Sequence, residues 1–471
     1  MILILAAMVL GCTTGHPSTM AKPDLTDQAF MELLSQRSFQ FFWDQADPDT
    51  GLIPDRYPTP SFASIAAVGF GLTAYPIGAE RGYVTRAQAS QRVLKTLRFL
   101  VQAPQGPDPQ GMTGYKGFYY HFLDMKTGKR FQQVELSTID TALLVAGAVS
   151  CKAYFKGTGA EETEIRQLVD QLYGNVDWTW AMARPNRVAL GWSPEGGFLP
   201  HDWIGYTEAM VLLTLGLGSP THPLPAEAWP TFTSTNPWVT FYGQSYVSFG
   251  PLFGHQFSHA WIDYRNIRDD YMRVKGIDYA ENTRRATYAQ RAYAIANPGH
   301  WKGYGSDIWG LSACDGPADI TLTVDGQVRK FLTYAARGVD PIHPLDDGTI
   351  SPDAAAGSLP FAPEIALPAL QAMRLRFGQD LFSTYGFLNA FNETFPPGQR
   401  LQHGKMVPGL GWVDTDYLGI EVGLILVMLE NHRTGMIWNL MKTDPQVVRG
   451  LQRAGFSGGW LNALPPLQPR P

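Results

Sequence analysis

Two kinds of helical segment alternate along the chain, and they differ in the spacing of their apolar residues. The first kind carries apolar residues at helical spacing beside polar faces, which predicts a helix with one buried face. These amphipathic segments are 25–47, 85–103, 161–182, 281–297 and 364–378. The second kind is apolar on nearly every face, so a helix there must be buried all round. These apolar segments are 64–74, 138–155, 206–217 and 419–441.

This alternation predicts outer helices that cover inner ones. The strand signal is limited to short pairs near 115–131 and 320–330, so we expect an all-α fold. A single hydrophobic core usually stops growing at roughly 250–300 residues, but a closed double ring of helices, an (α/α) toroid, accommodates a larger domain. We therefore expect one domain over residues 25–471, and a two-domain helical protein is the alternative.

Long loops rich in glycine, proline and aromatic residues separate the helices. They cover residues 104–135, 218–262 and 298–326. Loops of this length are uncommon inside a compact domain unless they bind a ligand. We expect them to form a substrate cleft.

The first 24 residues predict an export signal and a tether. Residues 1–12 form an apolar run that is too short to span a membrane as a mature helix. Val9-Leu10-Gly11-Cys12 is similar to a bacterial lipoprotein cleavage site, although the basic residues that usually precede such a run are missing. We expect a periplasmic protein, with lipid attachment at Cys12 and outer-membrane anchoring as an option.

Composition narrows the class of partner. The net charge is −5, and the 37 Lys and Arg residues form no basic stripe, which argues against nucleic acid. The 13 Trp, 20 Tyr and 25 Phe residues supply rings that either fill the core or stack on sugars. We expect a monomer in which Cys151 and Cys314 are buried free thiols, and a single periplasmic disulfide between them is the alternative.

Carboxylates stand at the start of several apolar segments. Glu135 and Asp140 precede or open one segment, Glu208 opens the next, and Glu421 opens the last. If the inner helices run parallel, these acids meet at one mouth of the ring. Glycoside hydrolysis needs such a set, with one protonated carboxyl and one ionised carboxylate. The alternative is helix capping, since Ser137 and Asp140 have the spacing of a capping box.

Neighbouring residues favour a sugar site over a metal site. Trp203 and Tyr206 precede Glu208 and offer it an aromatic platform. His255 and His259 have the spacing of a metal pair, but Gln256 stands where a zinc hydrolase needs glutamate. We therefore expect no metal and no cofactor, and we assign these histidines either to a sugar cleft or to the core.

Several sequence blocks together resemble the glucoamylase-like domain of bacterial endo-β-1,2-glucanases, glycoside hydrolase family 144. The similarity extends over residues 27–442. The blocks are Gly51–Arg56, Gly114–Asp124, Glu135–Thr141, Gly218–Pro223, Lys275–Asn282, Ala313–Pro317, Asp346–Thr349 and Glu430–Gly435.

The resemblance implies an (α/α)6 barrel that hydrolyses linear β-1,2-glucan, without a metal and with inversion, to sophorose and short oligosaccharides. Glu208 falls on the family's proposed general acid, and Glu135 and Asp140 fall on carboxylates of its cleft. Asn389 and Glu421 stand where we expected aspartate. The residues that we expect to contact substrate are Arg56, Tyr115, Tyr119, His121, Trp203, Tyr206, His255, Gln256, Trp309 and Asp315.

Other functions compete with this hypothesis. A β-1,2-glucan transglycosylase or an exo-acting, sophorose-releasing enzyme would use the same carboxylates. A polysaccharide lyase must neutralise a uronate, and the cleft blocks hold few cations beyond Arg56, Lys116 and Arg130. A lipid-tethered glycan-binding protein without activity is the non-enzymatic alternative.

Overall fold

The computed structural model describes residues 25–463 and is rich in helices. The first four helices start at polar caps: the hydroxyls of Thr26, Ser64, Thr85 and Ser137 accept hydrogen bonds from the first turns of α1 to α4. The helices are α1 Asp27–Gln45, α2 Ile65–Glu80, α3 Arg86–Gln102, α4 Thr138–Tyr154, α5 Ala160–Asn175, α6 Met210–Gly218, α7 Ala228–Thr233, α8 Phe253–Trp261, α9 Asp270–Lys275, α10 Tyr279–Ala296, α11 Pro352–Gly357, α12 Pro363–Phe377, α13 Gly419–Arg433, α14 Met436–Met441 and α15 Pro445–Arg453.

Six of these helices form an inner layer, and their packing is cyclic. Helix α2 packs on α4, α4 on α6, α6 on α8, α8 on α11 and α11 on α13, which returns to α2. The outer helices α1, α3, α5, α10, α12 and α15 each pack on at least one inner helix. The inner helices are buried almost throughout, which explains why the sequences of α2, α4, α6 and α13 lack a polar face.

Helices α2 and α4 touch backbone to backbone. A β carbon at Gly147 would lie 2.0 Å from the carbonyl oxygen of Gly69, so only glycine fits at that crossing. The side chains around this contact belong to one continuous hydrophobic core that includes residues from Phe30 to Leu461.

Short antiparallel strands lie in the connections between helices. The largest sheet has the order β3-β4-β6-β7-β8, and a pair β1-β20 joins the first loop to the start of α13. The strands are β1 Arg56–Tyr57, β2 Ala63–Ser64, β3 Gly114–Tyr115, β4 Phe118–Tyr120, β5 Phe122–Leu123, β6 Leu136–Ser137, β7 Gly191–Ser193, β8 Gly197–Phe198, β9 Trp238–Phe241, β10 Gln244–Val247, β11 Ala313–Cys314, β12 Ile320–Val324, β13 Gln327–Phe331, β14 Ala335–Ala336, β15 Phe382–Ser383, β16 Gly386–Phe387, β17 Phe391–Asn392, β18 Lys405–Val407, β19 Gly411–Val413 and β20 Tyr417–Leu418.

The helical pattern is confirmed for most predicted segments. Helices α1, α3, α10 and α12 begin and end within about two residues of the prediction. The prediction of an all-α fold is wrong in detail, because several small sheets accompany the helices. The prediction of a continuous loop over 218–262 is also wrong, since α7, a β-hairpin and the inner helix α8 lie there. Helix α8 contains several polar residues, so its sequence does not show the continuous apolar run from which we predicted the other inner helices.

Two further expectations concern the membrane and the cysteines. Within residues 25–463, no helix combines the length and the apolar character needed to span a bilayer. Cys151 and Cys314 are buried free thiols, as predicted. The expected export signal and Cys12 lie outside the described residues.

Candidate active site

The starts of the inner helices surround a cavity of about 210 Å³. Helices α4, α8, α11 and α13 each contribute side chains from their first turns, and Glu208 comes from the segment directly before α6. The lining consists of His121, Ile139, Asp140, Leu143, Glu208, Phe253, Phe257, Ser312, Ala313, Tyr334, Asp353, Ile420 and Glu421. The carboxylates that the sequence places at helix starts therefore do meet at one mouth.

Glu208 has the environment of a proton donor. Its Oε2 is buried and has no hydrogen-bond partner. Burial raises the pKa of Glu208 to about 7, and the nearby charge of Asp140 adds to the rise. Its backbone is fixed by helix α8, because the hydroxyl of Ser258 donates to the Glu208 carbonyl oxygen at 2.6 Å and accepts from the N–H of Val211 at 3.0 Å. With this pKa the carboxyl keeps most of its proton below pH 7.

On another wall, His121 joins two carboxylates. Its Nδ1 lies 2.8 Å from Glu135 Oε1, and its Nε2 lies 3.6 Å from Asp140 Oδ2. Burial alone would lower the pKa of His121, but Asp140 and the hydrogen bond with Glu135 raise it to about 9. Burial raises the pKa of Glu135, but the hydrogen bond with His121 and the positive charges nearby together outweigh it, and the pKa of that carboxyl is lowered. The imidazolium thus places a positive charge beside Asp140, whose Oδ2 also accepts a hydrogen bond from the Ser137 hydroxyl.

Asp353 and Glu421 form a second acidic pair in the cavity. Burial raises the pKa of Asp353 to about 6, and its Oδ2 has no partner. Burial, followed by the charge of Asp353, raises the pKa of Glu421 well above its usual value. Asn389 donates to Glu421 through Nδ2 and accepts from the N–H of Asp315 through Oδ1 at 2.7 Å. An amide at 389 is therefore matched to a carboxyl at 421.

Arg56 and Asp315, both predicted to contact substrate, form an ion pair next to the cavity. Arg56 Nη1 lies 2.7 Å from Asp315 Oδ2 and 3.5 Å from Asp416 Oδ2. Asp315, His403 and Asp416 also place ligand-type atoms within 4.8 Å of one another. Because the guanidinium already neutralises two of these groups, we interpret the cluster as an ion-pair network.

Four of the predicted contact residues pack in the core and do not line the cavity. Tyr119, His255, Gln256 and Trp309 are at most 4% exposed. Tyr119 donates to the carbonyl of Leu100, and Gln256 donates to the carbonyl of Ala354. Burial lowers the pKa of His255 to about 4, which is typical of a neutral core histidine. The sequence could not separate these residues from cleft residues, because both settings favour aromatic and amide side chains.

The three other predicted aromatic residues do not line the cavity either, and each packs in a different place. Tyr115 packs against Trp180 and Trp192 on the five-stranded sheet. Trp203 is half-buried and donates from Nε1 to the hydroxyl of Thr138 at 2.9 Å. Tyr206 is buried, stacks on Tyr279 and lines a neighbouring groove.

Sequence reasoning missed Asp353, together with the aromatic walls Phe253, Phe257 and Tyr334. The signal for Asp353 was present, because Ser351-Pro352-Asp353 opens a short alanine-rich run as the other inner helices open theirs. With only six residues in α11, its hydrophobic period was too short to recognise. Tyr334 lies in a loop and carries no such signal.

Comparisons with known proteins identify relatives that match most of this chain. The sequence model of the Glycoamylase family, described as "Putative glucoamylase", matches residues 200–445, just over half of the chain. A "putative glucoamylase" from Bacteroides uniformis is 31% identical, superimposes with a TM-score of 0.79, and the match covers 94% of this chain and 100% of that one.

Two further relatives are named for their activity on β-1,2-linked glucans. An endo-β-1,2-glucanase from Chitinophaga pinensis, solved with sophorotriose and glucose, is 29% identical with a TM-score of 0.78 and covers 92% of this chain and 99% of its own. An exo β-1,2-glucooligosaccharide sophorohydrolase (non-reducing end) from Parabacteroides distasonis is 27% identical over 466 residues, which are 91% of this chain. This chain spans 58% of that curated relative's length. The family match and the similarity over the full Bacteroides uniformis chain together show that this chain belongs to the Glycoamylase family.

Proposed function

We propose that the chain is a glycoside hydrolase that cleaves β-1,2-glucosidic bonds of linear β-1,2-glucan and releases sophorose and short oligosaccharides. The observation that carries this proposal is the buried Glu208, whose unpaired Oε2 and pKa of about 7 suit a proton donor in a cavity that other carboxylates share. The relatives from Chitinophaga pinensis and Parabacteroides distasonis support the β-1,2 linkage. Both internal and terminal cleavage are compatible with this set of acids.

The reaction that this geometry suits is a single displacement with inversion. Glu208 donates its proton to the glycosidic oxygen as the bond from that oxygen to the anomeric carbon breaks. A water molecule attacks the opposite face of the anomeric carbon and gives its proton to Asp140. The His121 imidazolium, 3.6 Å from Asp140, places a positive charge beside this carboxylate. Glu135 holds this ring in place.

We assign the architecture of the inner layer to an (α/α)6 toroid. The support is the cyclic packing of six inner helices, each covered by outer helices. In this arrangement the six helix starts converge on one mouth, where the partial positive charges of their N-termini face the substrate. The long connections, with their short strands, form the rim.

The cationic residues that a polysaccharide lyase would need for binding a uronate already form ion pairs with acidic residues of this chain. Arg56 pairs with Asp315 at 2.7 Å, Arg130 with Glu195 at 2.7 Å, and Lys116 lies 3.6 Å from Asp177. A uronate carboxylate would have to compete with these acids. The arrangement therefore favours hydrolysis of a neutral glucan.

A panel of glucans with β-1,2, β-1,3, β-1,4 and β-1,6 linkages tests the proposal. We expect cleavage of the β-1,2 polymer alone, with the α-anomer as the first product in the NMR spectrum, because inversion converts a β-linkage into an α-hemiacetal. Products of another linkage, or a complete lack of products, would contradict the function. A first product in the β-form would contradict the single displacement.

We also propose export to the periplasm with a lipid at Cys12. Fractionation of cells that express the full chain tests this localisation. The wild type is expected in the membrane fraction and Cys12→Ala in the soluble periplasm. An unchanged distribution would exclude the anchor.

A further inference from the structure

Helix α8 carries polar side chains that the reaction described above does not use. His255, Gln256, Ser258 and His259 are all buried. A buried polar group costs free energy unless it forms hydrogen bonds. The partners of these side chains therefore indicate what the helix does.

Helix α8 lies between α6 and α11 in the inner ring. Glu208, directly before α6, and Asp353, in the first turn of α11, both line the cavity described above, which we call the acidic cavity. In the described part of the chain, neither Ala209 nor Ser351, the N-caps of α6 and α11, forms a capping bond through its side chain. Other groups must therefore hold these two helix starts.

Ser258 holds the start of α6. Its hydroxyl donates to the carbonyl oxygen of Glu208 at 2.6 Å and accepts from the N–H of Val211 at 3.0 Å. Val211 is the second residue of α6, and an N-cap side chain usually accepts from the N–H at this position. Ser258 thus caps α6 from a neighbouring helix, and it does so through the backbone of Glu208 itself.

Gln256 holds the start of α11 in a similar way. Its Nε2 donates to the carbonyl oxygen of Ala354 at 2.8 Å and to the Ser358 hydroxyl at 3.0 Å. Ala354 directly follows Asp353 in the sequence. A β carbon at Gly357 would lie 2.4 Å from Oε1 of Gln256, so α11 packs closely against this amide.

We propose that Ser258 and Gln256 are positioning residues that fix Glu208 and Asp353 relative to each other across the acidic cavity. This inference rests on the proposed hydrolysis. A proton donor must lie within hydrogen-bonding distance of the oxygen that it protonates, and a misplacement of about 1 Å can cost about 10²-fold in rate. Helix α8 provides this precision by binding the backbone on both sides of the cavity.

Anchoring through the backbone also leaves the carboxyl of Glu208 without a donor. A hydrogen bond to the carboxyl itself would stabilise its ionised form and lower its pKa. Ser258 binds the carbonyl oxygen instead, and Oε2 of Glu208 stays buried and unpartnered. The position of Glu208 is thus fixed while its pKa stays raised, at about 7.

Ser258→Ala tests the proposal, because it removes both hydrogen bonds and leaves the acids in place. Ser150→Ala is the matched control. Ser150 is a fully buried serine of the inner helix α4, its hydroxyl donates to the Gly147 carbonyl at 2.6 Å, and it does not line the acidic cavity. Thermal unfolding compares the stability of the two variants. The kinetic measurements are kcat and KM on linear β-1,2-glucan and the pH dependence of kcat/KM.

We expect Ser258→Ala to lower kcat by about tenfold or more and to change KM by less than about twofold. The alkaline limb of the kcat/KM profile should move to lower pH, because a loosened Glu208 gains contact with water and its pKa falls from about 7. Ser150→Ala should change neither property. Both variants retain the other titratable groups of the cavity and of α8, which are His121, Asp140, Tyr334, Asp353, Glu421, His255 and His259.

Gln256→Met separates the two ends of α8. Methionine fills similar space but donates no hydrogen bond. We expect kcat to fall by about twofold to tenfold and the alkaline limb to stay in place, because Ser258 still holds Glu208. An unchanged kcat in this variant would remove Gln256 from the proposal.

Equal kinetics of Ser258→Ala and Ser150→Ala, or a loss of stability without a shift of the alkaline limb, would overturn the role of Ser258. If Ser258→Ala does not fold, Ser258→Cys provides the measurement, since a thiol forms only weak hydrogen bonds. Its alkaline limb should also move to lower pH, and an unmoved limb would contradict the proposal. A wild type that cleaves no β-1,2-glucan would instead remove the proposed function itself.

Discussion

Two groups of carboxyls in and beside the acidic cavity have opposite environments. In the unpaired group, Glu208, Asp353 and Glu421 are buried with few or no donors, and burial raises the pKa of each. In the paired group, Glu135 contacts the cationic ring of His121, and the hydrogen bond between them lowers the pKa of Glu135. This difference in environment explains how protonated and ionised carboxyl groups can coexist at one site near pH 7. Desolvation keeps the proton on one group, and a neighbouring cation removes it from another.

The largest effect on catalysis is expected when Glu208, the proton donor of the unpaired group, is replaced. Glu208→Gln preserves shape but cannot donate a proton to a departing oxygen, so kcat on β-1,2-glucan should fall by about 10²–10⁴-fold. Glu227→Gln, on an exposed glutamate at the start of α7, is the matched control and should be unaffected. Glu208→Gln with wild-type turnover would remove the acid assignment.

The next comparison sets Asp140 against Asp353. Asp140→Asn removes the proposed base and should lower kcat by about 10²-fold or more. Asp353→Asn alters an acid that burial keeps protonated near pH 5, and it should lower kcat by less than about tenfold. Steady-state kinetics of both variants at pH 6 decide between the two acids. A reversed order would move the role of base to Asp353.

The stability of Asp353→Asn provides a third test. The pKa of Asp353 is raised from 3.8 to about 6 in the folded protein. The wild type therefore loses about 3 kcal/mol of unfolding free energy as pH rises from about 4 to above 6, because the buried carboxyl must ionise. Asp353→Asn should lack this loss, and Asp108→Asn, on an exposed aspartate, should retain it. Parallel denaturation curves from pH 4 to 8 for the wild type and Asp353→Asn would contradict the burial effect.

The smallest effect, on stability, is expected for His121, which contacts Glu135 and Asp140. Its pKa is raised to about 9, so its ion pairs contribute most below pH 6.5 and are lost as pH rises through 9. His121→Asn should lower the unfolding free energy by about 1.5–3 kcal/mol at pH 6 and by much less at pH 10. Urea denaturation at the two pH values measures this difference. Equal destabilisation at both would show that packing, and not charge, gives His121 its role.

Much of this arrangement is readable from the sequence. The amphipathic and apolar segments locate the outer helices α1, α3, α10 and α12 and four of the six inner helices. The carboxylates at helix starts also meet as expected, because parallel inner helices bring their first turns together. The local spacing of apolar residues was sufficient to predict these helices and their first turns.

The sequence was insufficient where tertiary contacts decide the outcome. Helix α8 carries His255, Gln256 and His259, and these polar groups become buried only because partners such as the Ala354 carbonyl and Thr283 hydroxyl accept or donate hydrogen bonds. Trp309 is an aromatic loop residue that sits in the core. No local pattern distinguishes a satisfied core amide or ring from one that faces a sugar.

The β1–β20 pair, which joins Arg56 to Leu418, has a consequence for folding. This contact forms only after residue 418 has been made, and Glu421 lies directly beyond it. Contacts between such distant segments slow folding, since a very long loop must close before they form. The complete set of acids is therefore a late product of folding, and truncation before residue 421 should yield proteins that cannot form it.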